Sequence, residues 1–240
     1  MIGEKKLEGM VSKFGIEHLW WQGDEIIRGI AIVLLLMSIA SWIVILIKLI
    51  EIGRVKLQNR RVDVFWHSED VIEGIEKLGN ENDNPFAMIA RNAHIAANHL
   101  QGDNSADNKK TQLHDKLDPS EWIGRAINQA IDRSVFKLQS GLWILASVAS
   151  TAPFVGLFGT VWSIYHALMN ISTNGSASLD QVAGPIGEAL IMTALGLAVA
   201  IPAALGYNAI VRGQKIAVHM INRFAHEIHS YYLSGMRWKK

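Results

Sequence analysis

The sequence predicts an all-α fold: a polytopic membrane protein with three transmembrane helices, two of which continue into a cytoplasmic helical bundle. Three observations support this prediction. Half of the 240 residues are hydrophobic and only 19% are charged, below the roughly 25% that is typical of soluble domains. Three long stretches are almost free of charge. Lysine and arginine are concentrated next to the ends of these stretches that would lie on the same side of a membrane.

The overall composition excludes several classes of protein. A net charge of +1 is far from the basic excess of a nucleic-acid-binding domain, so we expect no nucleic-acid partner. The absence of cysteine excludes disulfides, iron–sulfur clusters, zinc–thiolate sites and thiol nucleophiles. No phosphate-binding glycine loop, nucleophile elbow or zinc-binding histidine pair occurs. We therefore expect no enzymatic activity, no cofactor and no metal.

The first predicted span covers residues 26–48. Its central run, Gly29 to Ile47, carries no charge and would be about 28 Å long as a helix, close to the thickness of a bilayer core. Trp20 and Trp21 precede it, where an aromatic belt would lie. The preceding segment, 1–25, mixes acidic and basic residues and lacks the pattern of a cleavable signal peptide. We therefore interpret the run as a retained transmembrane helix.

The second and third predicted spans, 138–170 and 183–211, are rich in small residues and are joined by a short loop, 171–182. Small residues four positions apart, such as Gly196 and Ala200, let membrane helices approach closely. The large aliphatic residues of the first span favour contact with lipid, so spans two and three should form the inner, packed layer. The residues expected to set packing or helix bends are Pro153, Gly156, Gly159, Gly196 and Pro202.

The distribution of basic residues predicts the orientation. Lysines and arginines follow the first and third spans and precede the second, whereas the 171–182 loop has none. By the positive-inside rule this loop and the N-terminal segment 1–25 lie outside, and the C-terminus lies in the cytoplasm.

The large insertion 49–137 is predicted to be a cytoplasmic helical domain. Within it, residues 80–85 read as a turn, 85–100 as a helix, and the polar stretch 101–117 as a mobile loop. The C-terminal segment 212–240 has a weaker helical pattern and should pack with this domain.

One long helix is predicted to enter the second span from the cytoplasm. Asp118 and Pro119 form an N-cap followed by proline at the first helical position. From Ser120 onward, apolar residues recur at a spacing of three and four, and no breaker is evident before the second span. We therefore expect a continuous helix that leaves the membrane and projects into the cytoplasm.

Two long motifs in the last two spans resemble a known family. TAPFVGLFGTVWSIYHAL begins at Thr151, and VAGPIGEALIMTALGLAVAIPAALGYN begins at Val182. Both are similar to the signature spans of the ExbB/TolQ/MotA proton-channel family, with the ExbB branch most similar and the TolQ branch next. The match is strong over 141–211. One departure is Ser163, where the family usually has glycine; serine is still small enough for close packing.

The resemblance implies a homo-pentamer in the bacterial inner membrane, surrounded by lipid, whose second and third spans line a central pore. ExbD-like subunits would occupy that pore, and a TonB-like protein would be a further partner. The assembly would use the proton-motive force to energise outer-membrane import such as ferric-siderophore uptake. By the family motif, Thr160 and Thr193 match pore-lining threonines and Glu188 matches the acidic residue of span three.

The residues themselves leave alternatives open. Glu188 is the only acidic residue well inside a predicted span, where a carboxylate costs about 2.5–3.5 kcal/mol at the bilayer centre. It could instead lie near the outer interface, where Pro185 and the helix N-terminus would favour an anion. The threonines could hold waters along a pore or only make ordinary interhelical hydrogen bonds. We interpret the histidines, including His226 and His229, as part of a solvated helix face rather than as a metal site.

Two other functions therefore stand beside the ExbB-like one. The chain could be a TolQ-like subunit of an envelope-maintenance system, or a membrane scaffold without an ion pathway. A scaffold should tolerate replacement of Glu188 or Thr160, whereas a channel subunit should not.

Overall fold

The computed structural model describes residues 25–102, 118–174 and 179–234. Within these ranges every regular element is a helix, which confirms the predicted all-α class. The helices are α1 (Glu25–Asn59), α2 (Arg61–Trp66), α3 (Val71–Leu78), α4 (Pro85–Gly102), α5 (Pro119–Gln139), α6 (Leu142–Asn174) and α7 (Leu179–Ser234). They fall into two compact units, which we call the span unit (1–46 and 141–209) and the bundle unit (47–140 and 210–240).

Three helical stretches are long and apolar enough to cross a membrane, as the sequence predicts. They are Glu25–Trp66, Ser120–Met169 and Gly184–Ser234, and only 22%, 33% and 28% of their most apolar windows are buried within the chain. Apolar helices inside a soluble protein would bury most of this surface. So little burial is the pattern of helices that face lipid or other membrane helices.

The first part of α1 shows how a uniformly apolar helix packs within the span unit. Ile27, Ile30, Leu34 and Ile45 are buried and recur at the three- and four-residue spacing that defines one face of a helix. Large residues around the rest of the helix, such as Leu36, are exposed. Therefore α1 contacts the other helices along one stripe and presents aliphatic side chains elsewhere.

The core of the bundle unit is built around aromatic residues. The ring of Phe224 lies edge-on to Phe65 and Phe86, at centroid distances of 5.6 and 5.5 Å. Ile127 from α5 and Ile228 from α7 complete this core. Edge-to-face contacts of this kind stabilise a core beyond the burial of area alone. The bundle unit therefore has the packing expected of a water-soluble helical domain.

The predicted turn at 80–85 is confirmed, and Asn84 holds it in place. The buried Asn84 side chain donates to the Leu78 carbonyl at 2.7 Å and accepts from the Phe86 amide at 3.0 Å. The predicted helix 85–100 is also confirmed, as α4. The predicted loop 101–117 lies mostly outside the described residues.

The predicted start of α5 is confirmed in its backbone. Asp118 has extended dihedral angles and Pro119 is the first helical residue, although the Asp118 side chain makes no capping hydrogen bond. Ile123, Ile127 and Leu138 are buried, as the apolar spacing predicts. This face joins α5 to the bundle core.

The prediction of one continuous helix from Ser120 into the second span is wrong. Helix α5 ends at Gln139, and Gly141 has a φ of 80° before α6 begins. Glycine adopts this left-handed conformation without the steric cost that a Cβ atom would bring. The sequence-based interpretation counted Gly141 as part of the apolar span and so overlooked its ability to end a helix.

Two of the long helices do run on without a break. Helix α1 extends beyond the predicted end of the first span, and α7 passes through residues 211 and 212 as one helix. Helical structure also covers 171–174 and 179–182, on either side of the predicted loop centre. The predicted N-terminal segment lies outside the described residues, apart from Glu25.

Two buried polar side chains hold the last turn of α5 within the bundle unit. The Lys48 ammonium donates to Glu51 at 2.7 Å, to the Lys137 carbonyl at 3.1 Å and to the Ser140 hydroxyl at 3.2 Å. The buried Gln214 amide donates to the Leu138 carbonyl. These contacts satisfy carbonyls that have no partner inside the helix, and the lysine also complements the negative end of the helix dipole.

Candidate proton-pathway site

A close backbone approach in the span unit joins α6 to α7 through two glycines. A Cβ atom on Gly156 would lie 2.7 Å from the Met192 carbonyl oxygen and 3.1 Å from the Gly196 Cα. A Cβ atom on Gly196 would lie 2.7 Å from the Ala152 carbonyl oxygen. Only glycine allows backbones to come this close. The structure thus brings together two of the predicted packing residues.

Gly159, a third predicted packing residue, lies one turn further along α6. A Cβ atom there would lie 3.1 Å from the Cβ of Met192 and 3.6 Å from the Cγ2 of Ile30. Met192 is fully buried. At this level α1, α6 and α7 all meet, so the contact fixes the spacing of the three helices.

The two candidate pore threonines directly follow this contact pair. Thr160 comes after Gly159 in α6, and Thr193 comes after Met192 in α7. Both therefore lie at the same level of the helix pair, although 33 positions separate them in the sequence. Local sequence patterns alone do not predict this shared level.

The hydroxyl of Thr160 already has one partner. It donates to the Leu157 carbonyl at 2.6 Å, and the residue is buried. This intrahelical bond was not among the predicted alternatives. A threonine hydroxyl that donates to its own helix can still accept a hydrogen bond. Thr160 can therefore receive a bond from a water or from a protonated carboxyl group.

Thr193 is half-buried, and its hydroxyl makes no hydrogen bond to another residue within the described ranges. The two threonines thus differ in the structure, although the family motif assigns them one role. Thr193 can both donate and accept.

Glu188 lies in α7 one helical turn before Met192; its side chain is outside the described part. Since α7 begins at Leu179, the residue lies well beyond the first turn, where the charge of the helix end is felt. The expected support from a nearby helix N-terminus therefore does not apply. Glu188 and Thr193 are five positions apart, which separates them by about 140° around the helix.

The prolines lie inside intact helices. Pro153 is within α6, and Pro185 and Pro202 are within α7. Each proline removes one backbone hydrogen bond from its helix. Near Pro153, the Thr151 hydroxyl donates to the Ser147 carbonyl at 2.7 Å, a contact that bends helices. Pro153 and Pro202 thus lie in helical stretches that are long and apolar enough to cross a membrane.

Sequence reasoning missed one feature of Ser163. Its side chain is buried, and its hydroxyl oxygen has no hydrogen-bond partner among the described residues. The residue was considered only for its size. The serine at position 163 in place of the usual glycine could have indicated this feature, because serine brings a hydroxyl group that glycine lacks.

Among the described residues, no group of three or more histidine, cysteine, aspartate or glutamate side chains could hold a metal ion. The site instead consists of closely packed helices, two threonines at one level and an acidic residue one turn away. An ionisable residue inside a membrane helix is costly, so Glu188 is a candidate functional residue. The fold defines the class of the protein: a polytopic helical membrane protein.

Comparison with known proteins identifies the family. The MotA/TolQ/ExbB proton channel family matches residues 90–223, which include Thr160, Glu188 and Thr193. The chain belongs to this family.

Individual relatives agree over most of the chain. It is 40% identical to the biopolymer transport protein ExbB of Xanthomonas campestris over 95% of this chain and 92% of the relative. It is 38% identical to ExbB of Neisseria meningitidis over 86% of this chain and 92% of the relative. It is 32% identical to the Tol-Pal system protein TolQ of Haemophilus influenzae, over 83% and 85%. The predicted resemblance to the family, with ExbB before TolQ, is confirmed.

Proposed function

We propose that this chain is the channel subunit of an ExbB-type inner-membrane motor, which uses the proton-motive force to energise TonB-dependent import across the outer membrane. Extended similarity to ExbB proteins carries the proposal, since two such relatives match over most of their length. Ferric-siderophore uptake is the process we expect it to serve.

The proposed assembly is a homo-pentamer with α6 and α7 around a central pore. Exposed apolar side chains support it, because Phe154 on α6 and Leu190 on α7 are 70% and 66% exposed in the single chain. Such surface needs lipid or other helices against it. ExbD-like subunits would occupy the pore, and a TonB-like protein would be the partner that receives the energy released by proton flow. The N-terminus would be periplasmic and the C-terminus cytoplasmic.

Thr160, Thr193 and Glu188 form the proposed proton path together with a carboxyl group from the pore subunit. The threonine hydroxyls would hold waters or bind that carboxyl, since each can accept a hydrogen bond. One charge that crosses 100 mV releases about 2.3 kcal/mol. This energy is small for a large mechanical step, so we propose that several protons cross for each step.

The first test measures ferric-siderophore uptake and detergent resistance in cells that lack the gene. We expect uptake to be lost and detergent resistance to remain, and a protonophore should abolish uptake in the wild type. Complementation with Thr160→Ala should restore little uptake, whereas Thr160→Ser keeps the hydroxyl and should restore most of it. Thr151→Ala is the matched control, because Thr151 is an exposed threonine of the same helix.

A TolQ-like role is the second candidate, and the similarity to TolQ of Haemophilus influenzae favours it. In that case the deleted strain would keep siderophore uptake and become sensitive to detergent. A scaffold without an ion pathway predicts that Thr160→Ala and Glu188→Gln both restore full function. Either result would overturn the ExbB-type proposal.

A further inference from the structure

A cleft of about 370 Å³ opens within the bundle unit. One wall is the continuation of α1 beyond the apolar run, the second is the 80–85 turn, and the third is the end of α5. Its size is at the lower end of the range for small-molecule sites. The proposed proton pathway does not use it.

The cleft carries unneutralised positive charge. Arg54, Arg133 and Lys137 line it. Two acidic residues that also line it are already paired: Glu51 with Lys48 at 2.7 Å, and Glu81 with Arg91 at 3.2 Å. Asp83 is the remaining acidic residue of the lining. The positive charge of the three basic residues therefore exceeds the negative charge of Asp83.

The three basic residues are not equivalent. The Lys137 ammonium donates to the Asn82 carbonyl at 3.0 Å and so spans from α5 to the turn. Within the described ranges, neither the Arg54 nor the Arg133 guanidinium has a hydrogen bond or an ion pair. Each guanidinium presents paired donors that match a phosphate or carboxylate. Both guanidinium groups are therefore available to bind an anion in the cleft.

The cleft also offers one hydrogen-bond acceptor in a fixed position. The Gln58 amide nitrogen donates to the Asp83 carbonyl at 2.9 Å, which sets the orientation of the amide. The other amide atom, Oε1, is buried and has no partner among the described residues. A buried acceptor without a partner is energetically unfavourable. A ligand with a hydroxyl or amino group would satisfy it.

The position of the cleft along α1 favours a soluble ligand. Arg54 and Gln58 follow Ile47, the last residue of the charge-free run, by about 10 and 16 Å along the helix. The headgroup layer on each side of a bilayer is only about 5–8 Å thick. Gln58 therefore lies farther from the charge-free run than a headgroup layer is thick, which favours a soluble ligand over a lipid headgroup.

We infer that this cleft binds a small, soluble phosphate monoester that also carries hydroxyl or amino groups. Arg54 and Arg133 bind the phosphate, Lys137 adds a third positive charge, and Gln58 Oε1 accepts a hydrogen bond from the remainder of the ligand. The inference does not depend on the proposed function.

The test is calorimetric titration of the purified full-length chain in a neutral detergent with sn-glycerol 3-phosphate. We expect saturable binding with Kd at or below the millimolar range. Arg54→Gln and Arg133→Gln should each raise Kd at least tenfold, while Arg54→Lys should raise it less. Gln58→Met should weaken sn-glycerol 3-phosphate but not inorganic phosphate. Arg125→Gln is the matched control, because Arg125 is an exposed arginine on α5 that pairs with Glu121 outside the cleft.

Three results would overturn the inference. The first is the absence of saturable binding by either phosphate probe. The second is an equal loss of affinity in Arg125→Gln, which would indicate unspecific attraction. The third is binding that depends on Arg54 and Arg133 only in nanodiscs of phosphatidylcholine with phosphatidylglycerol and never with the soluble probes; this would assign the cleft to a lipid headgroup.

Discussion

The span unit and the bundle unit pack by different means, although they share the helices α1 and α7. In the span unit the contact between α6 and α7 is backbone to backbone, through Gly156 and Gly196. In the bundle unit the contact around Phe224 is side chain to side chain. Lipid tails are as apolar as leucine, so membrane helices gain little by burying large residues and associate through close approach. Helices in water gain from each apolar side chain that they bury.

Polar groups differ between the units in the same way. The bundle unit buries Lys48 and Gln214, which bond to residues 92 and 76 positions away, and Asn84, which joins the end of α3 to the start of α4. In the span unit the hydroxyls of Ser41 and Thr160 donate to carbonyls of their own helices. Buried polar side chains such as Lys48 and Gln214 thus fix elements of the bundle unit to each other, while Ser41 and Thr160 in the span unit are satisfied within their own helices. Four substitutions test this comparison, from the largest expected effect to the smallest.

Phe224→Ala should have the largest effect, since it removes the central ring of the bundle core. We expect the free energy of unfolding to fall by about 3–5 kcal/mol, measured by denaturant titration of the detergent-solubilised chain. Phe136→Ala is the control, because Phe136 is 78% exposed and should change stability little. Equal losses in both variants would show that burial does not govern the bundle unit.

Lys48→Met should remove three hydrogen bonds from a charged donor and free the end of α5. Bonds to charged groups contribute about 1.5–3 kcal/mol, and we expect a loss in that range in the same titration. Lys56→Met, at an exposed lysine of the same helix, should be close to neutral. A neutral or stabilising Lys48→Met would mean that apolar packing can replace the polar contact, which would weaken the contrast between the units.

Gly156→Ala tests the close approach in the span unit. The new Cβ atom would meet the Met192 carbonyl oxygen at 2.7 Å, so α6 and α7 must separate, at a cost of about 1–3 kcal/mol. Thermal melting in detergent is the measurement. Gly184→Ala is matched, since a Cβ atom there meets nothing within 4 Å. Should both substitutions have the same effect, the glycine contact would not be what joins these helices.

Glu73→Gln should have the smallest effect and a pH dependence. The hydrogen bond from Lys77 lowers the pKa of the exposed Glu73 carboxyl below its usual value. A lowered folded-state pKa stabilises the protein above the unfolded pKa, and this contribution is lost as pH falls through the folded pKa. The variant should therefore be slightly less stable than the wild type at pH 7 and equal to it in acid. A difference that grows in acid would contradict this account.

The sequence predicts what depends on local pattern. The three apolar stretches follow from runs without charge, the buried face of α5 follows from the spacing of Ile123, Ile127 and Leu138, and the turn follows from its polar residues. The approach of Gly156 to Gly196 agrees with the small residues spaced along both spans. In each case neighbouring residues carry the information.

What the sequence did not predict depends on distant partners or on one backbone angle. From the sequence, Lys48 is evident only as a basic residue at the end of the first span, because its partner Ser140 is 92 positions away. The cleft at Arg54 and Arg133 needs three segments that only the fold brings together. The break at Gly141 results from a single positive φ inside an otherwise apolar run. The roles of Thr160, Thr193 and Glu188 came from the family motif and stay predictions.

Proton flux is the most direct test of the central claim that this chain forms a proton path. The chain would be co-expressed with an ExbD-like partner, reconstituted into vesicles under an imposed membrane potential, and monitored with an internal pH-sensitive dye. We predict flux in the wild type, retained flux in Thr151→Ala, and at least a tenfold loss in both Thr160→Ala and Glu188→Gln. Unchanged flux in both of these variants, with the complex intact, would contradict the account.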